Sequence, residues 1–164
     1  MKRPAAVQAP PQATVFRAAG KTYWLYMGPQ EMVALQRHWG LTRLSSDTRE
    51  DWTKKKEVFE DRLNGSAMED QITIMRHALA RWASVQNGTG PGELTDEKMG
   101  EILAGIESGP VPKGAKPKAG FMLTTELFLR FICDCFGIKS DDEEPKGEPD
   151  PNVSSGEVST PSTS

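Results

Sequence analysis

Apolar positions along this chain fall into one segment of strand spacing followed by five of helical spacing. Val15 and Phe16 open an extended run, Ala19-Gly20 marks a turn, and Lys21 to Met27 is rich in strand formers. This predicts a β-hairpin over residues 14–27, with Tyr23, Leu25 and Met27 on one face and Trp24 and Tyr26 on the other. Such a hairpin is marginal in water, so helices must cover one face. Gly28-Pro29 starts the first helix, with proline where its missing N–H costs nothing; Met32, Leu35 and Trp39 form its stripe and Gly40 stops it. A second helix is predicted from Arg49 to Leu63 on Trp52, Phe59 and Leu63, with Asn64-Gly65 as its stop. Lys54, Lys55 and Lys56 wrap around that helix and form no patch.

The third helix carries the longest seam. Met68, Ile72, Met75, Leu79 and Trp82 recur every three or four residues, and Ser66 with Glu69 has the spacing of a capping box. A Gly-rich loop, 87–92, follows; it lacks the preceding strand and the Gly-Lys-Ser/Thr of a phosphate loop. Thr95 caps the fourth helix, whose Met99, Ile102, Leu103 and Ile106 share a face, and Ser108-Gly109-Pro110 is its expected stop. Residues 109–120 are a Pro/Gly/Lys linker.

The last helix, within 121–138, differs from the others. With Thr124 or Thr125 as its cap, its body is apolar except for Glu126, Arg130 and Asp134, which are spaced to form two i,i+4 ion pairs. A surface helix is normally apolar on one face only. This one is therefore either the central helix of a core or a surface for a partner. It is shorter than the about 20 apolar residues needed to cross a bilayer. Its position between a linker and an acidic tail favours a partner surface, for which Leu127, Phe128, Phe131, Ile132 and Phe136 are the candidate residues, with Phe128 and Phe131 the favoured anchors.

The expected fold class is thus α+β, mostly α: an N-terminal β-hairpin packed on a small bundle of about five helices. The hairpin and helical domain spans 14–108, then come the linker, 109–120, and the apolar helix, 121–138. Residues 1–13 and 139–164 are expected to be disordered, since neither holds enough apolar surface to offset its ordering entropy.

Charge is divided unevenly. Residues 141–164 carry seven acidic side chains against one lysine, a net of −6, so the remainder is near +3 within an overall −3. Without a basic field, no nucleic-acid partner is expected. A solubilising role suits the acidic tail, with masking of a basic surface or mimicry of a polyanion as the alternatives. Cys133 and Cys135, two apart on a helix, do not face each other and lack further ligands for zinc; buried free thiols in a reducing compartment fit them better. No histidine or carboxylate cluster has the spacing of a metal site or a nucleophile system, so neither metal, cofactor nor enzymatic activity is expected. His38 suits the C-terminal dipole of the first helix, and His77 lies off the apolar seam. The N-terminus has no apolar stretch of signal-peptide type, which points to the cytosol.

The order of elements resembles a known family. A hairpin with a Gly turn and a Tyr-x-Leu second strand leads to a short helix ending in Trp39-Gly40. A long ITIMRHALARWA helix and an LTDEKMGEIL helix follow. This resembles the small tail assembly chaperones of gene transfer agents and long-tailed phages, a family also labelled tail tube proteins. The resemblance covers roughly residues 14–107 and is strongest from Leu94-Thr95-Asp96-Glu97 to Met99-Gly100-Glu101-Ile102. The chain departs from it in a longer segment from Leu41 to Gly65 and in everything after Gly109. The resemblance implies a protein in the cytoplasm of a bacterial host that coats the apolar helical tape measure protein during tail assembly. Contacts with tail tube subunits and homo-oligomers belong to the same reading. The alternative is a structural component of the tail tube or head-tail junction, which an acidic tail would crowd; a small regulatory protein is a third reading.

Overall fold

The computed structural model describes residues 8–87 and 94–137. Strands β1, Thr14–Ala18, and β2, Lys21–Leu25, form an antiparallel hairpin in the register Phe16↔Tyr23. Helices α1, Pro29–His38, α2, Arg49–Leu63, α3, Met68–Asn87, α4, Asp96–Ala104, and α5, Gly120–Phe136, follow in chain order. The fold is α+β and mostly α, an N-terminal hairpin against a small helical bundle. The expected acidic tail and most of the Gly-rich loop lie outside the described residues. Of the expected N-terminal arm, residues 1–7 lie outside them too, whereas Ala13 N–H donates to Pro10 O and closes a turn.

The hairpin turns on Ala19 and Gly20, both at positive φ, 47° and 76°. That pairing of signs is what a two-residue turn needs to match strand twist. The alternating burial of β1 places Phe16 and Ala18 inward, where Phe16 stacks on Tyr23 with ring centroids 5.3 Å apart.

α3 is the central post of the bundle, touching α1, α2, α4, α5 and β2. Its buried face is wider than the predicted seam. Ile74, Met75, Ala78 and Leu79 are fully enclosed, while Ile72 and Trp82 are partly covered at the edge. Trp82 still reaches Tyr23, with centroids 4.5 Å apart. The helix begins at Met68, one residue later than a Ser66 cap requires. There the Gln71 side-chain amide donates to Gly65 O at 2.8 Å, and Arg62 pairs with Asp70 at 3.0 Å. α2 runs as predicted and buries Phe59, with Thr48 accepting from Asp51 N–H in a capping box.

Two predicted boundaries move for tertiary reasons. α4 ends at Ala104, with Gly105 as its cap, instead of continuing to Ser108. Ile106 leaves the helix to bridge Ala18, where Ala19 N–H donates to Gly105 O and Glu107 N–H to Arg17 O. The outer edge of β1 has backbone groups to satisfy, and that demand overrides helical periodicity. α5 starts at Gly120, before either threonine. Thr124 is buried within the helix and donates to Gly120 O at 3.0 Å.

Gly65, at φ +62°, closes the C-terminal end of α2 directly beneath the Phe128 ring, and a methyl group there would overlap that ring. Gly65→Ala is expected to destabilise by about 2–4 kcal/mol, combining left-handed backbone strain with overpacking. Ala19→Asn, which suits the same backbone sign in an open turn, should be neutral or stabilising by about 0.5 kcal/mol. Urea unfolding of the two variants checks both signs.

Candidate functional site

The faces of α5 follow from turning about 100° per residue. Thr124, Leu127, Phe128 and Phe131 share the inward face and are at most 6% exposed. Each buried phenylalanine contributes about 1.5–3 kcal/mol through removal of its ring from water. Phe128 and Phe131, the anchors expected from sequence, are therefore core residues at 2% and 1% exposure, and Leu127 joins them at 4%. Their spacing by three and four residues is the spacing that packing on α3 requires. Ile132 is partly buried against the same core, and of the five expected contact residues Phe136 is the open one.

The polar stripe is also accounted for. Arg130 donates through Nη2 to Val15 O at 2.8 Å, Asp134 accepts from Thr14 Oγ1, and Glu126 pairs with Lys118. The expected i,i+4 pairs within the helix are replaced by ties to β1 and to the linker, since these charges face the edge of the hairpin.

A third face has four large apolar side chains that no described residue covers. Phe121, Met122, Leu129 and Phe136 are 66%, 44%, 56% and 57% exposed. With the half-buried Thr125 and Ile132 between them they mark out one strip along the whole length of α5, about 25 Å. Beside it opens an apolar cleft of about 80 Å³, walled by Met27, Met32, Leu63, Ile132, Cys135 and Phe136. The two methionines give this edge side chains that adapt to different occupants.

Cys133 is half-buried and Cys135 is exposed at the cleft, so the expected burial of both thiols does not hold. The Cys135 thiol is nevertheless pushed up to about 11, by the burial of its sulfur and then by the Asp134 charge, and it stays protonated at neutral pH.

A larger cleft, of about 550 Å³, lies between β2, α3 and α4. Its floor is Tyr23 and Trp82, and its rim carries Lys21, Lys98 and Glu101. These charges of mixed sign stand against a tilted aromatic pair, Tyr23 in the core and Trp82 packed on its edge. Among the described residues no cluster of three or more potential metal ligands occurs, and no helix is long and apolar enough to cross a membrane. Neither a family model, nor a curated protein, nor a solved structure matches this chain.

His77 is half-buried on α3, 5.3 Å from the ring of His38 at the end of α1. Burial holds its pKa down to about 4, with the Arg76 and His38 charges adding to the effect and Asp96 opposing it. Between about 6.5 and 4 the unfolded chain takes up a proton at this site that the folded chain refuses. The contribution is present in full above the unfolded value and lost as pH falls towards 4. Urea midpoints measured down this window should decline in the wild type and decline less in His77→Gln.

Proposed function

We propose that this protein is an assembly chaperone of the long-tailed phage and gene transfer agent type, which holds the apolar helical tape measure protein in the bacterial cytoplasm until a tail tube forms around it. It acts as a binding protein and not as an enzyme. The observation that carries this reading is the unpartnered apolar strip of α5, with its methionine-walled cleft alongside. Monomeric proteins seldom leave a continuous apolar strip of this length in water unless something docks there. A client helix presenting apolar residues three and four apart would lie along the strip, with its bulkiest side chains entering the cleft. In this reading Phe121, Leu129 and Phe136 are the anchors. Phe128 and Phe131 act one step back, by holding α5 at the surface in the orientation that turns its third face outward.

The order of elements supports the same class of protein through the resemblance in residues 14–107, and the acidic chain after residue 140 would keep a loaded complex soluble. A retained tube component would instead need this strip in contact with neighbouring subunits of the finished particle.

Pull-down of the purified tape measure protein separates the faces. The triple variant Phe121→Ser, Leu129→Ser, Phe136→Ser should keep the wild-type circular dichroism spectrum and lose the client. Phe128→Ser alone should lose about 3–5 kcal/mol of stability, as truncation of a buried aromatic ring does. A folded triple variant that still captures the client would refute the proposed docking strip.

A further inference from the structure

We infer that, when no client is bound, the α5 strip is covered by a second copy of this chain in an antiparallel, two-fold helix pairing. The inference rests on the symmetry of the strip itself. About a point between Phe128 and Leu129, its two exposed phenylalanines are symmetrically placed. Phe121 falls opposite the second copy's Phe136, the half-buried Thr125 opposite its half-buried Ile132, and Leu129 beside its own counterpart. A two-fold interface requires such self-complementarity, because each residue must meet the partner of its own partner.

Charge agrees with the same arrangement. Glu126 and Arg130 lie beside the strip, one on each side of the same midpoint, so antiparallel pairing sets each Glu126 within reach of the second copy's Arg130. Both retain capacity for this. Glu126 binds Lys118 through one carboxylate oxygen, and Arg130 spends a single N–H on Val15 O.

The area decides how strong this contact is. Two phenylalanines, each more than half exposed, with Met122 and Leu129, offer on the order of 400 Å² per copy, or about 800 Å² in total. Stable specific interfaces bury roughly 1,200–2,000 Å². The pair is therefore a weak dimer, smaller than a stable specific interface. Such a contact shields the strip at high local concentration and gives way to a client that also fills the methionine cleft. The pairing itself stands on the helix geometry; its exchange with a client rests on the function proposed above.

Sedimentation equilibrium of the full chain tests the pairing without any client, so its failure is distinct from failure of the pull-down. A reversible monomer–dimer equilibrium is expected, shifted to monomer by Leu129→Glu. Glu126→Arg should weaken the dimer about tenfold by setting arginines against each other, and Glu126→Arg with Arg130→Glu should restore it. Circular dichroism confirms that each variant is folded. A wild-type chain that stays monomeric at every concentration overturns the inference. So does a dimer that survives Leu129→Glu, or one that the double charge exchange fails to restore.

Discussion

The seating of Phe128 and Phe131 against α3 is the contact on which the rest of this structure depends. A two-stranded hairpin does not hold its shape alone, and α2 encloses a single large side chain, Phe59. α5 supplies what these elements lack. Its phenylalanines enter the core over Gly65, its Thr125 meets Gln71 on α3, and its Arg130 and Asp134 clasp the outer edge of β1. The last helix in the described chain thus fastens the first strand, across about 115 residues of sequence in the case of Arg130 and Val15. Closing so long a loop costs entropy, which the burial of two aromatic rings and a leucine offsets.

The same seating fixes the helix's orientation. Once the core claims one face and β1 claims the polar stripe, the remaining apolar face can only point outward. The strip is in this sense a by-product of how tightly the other two faces are held. An apolar face on a freely moving helix would collapse onto its own domain. This one is prevented from turning inward by fixed contacts on both sides, which keeps it available to a client or to a second copy.

Much of the architecture was legible from residue order. The hairpin turn at Ala19-Gly20, the limits of α2 and the core-facing seam of α3 all follow from local patterning and turn chemistry. What sequence did not reveal was decided by tertiary demand. α4 stops early because the edge of β1 needs backbone partners, and α5 starts early because Thr124 bonds back into the helix it was expected to begin. The identity of the α5 apolar residues was plain, but their assignment to faces was not. A helix apolar nearly all round gives no internal sign of which side meets the core. A signal was present in the polar stripe: Asp134 and Arg130 must reach hydrogen-bonding partners, and with β1 as that partner the phenylalanines at 128 and 131 turn inward, leaving 121, 129 and 136 outside.

The central claim is that α5 is at once a core helix and an open surface. Hydroxyl-radical footprinting of the dilute, folded, full-length chain measures both properties in one sample. Phe121, Met122, Leu129 and Phe136 should be oxidised rapidly, while Phe128 and Phe131 stay protected until the chain unfolds. Equal protection of all six, or rapid oxidation of Phe128 and Phe131 in the folded state, would contradict the account.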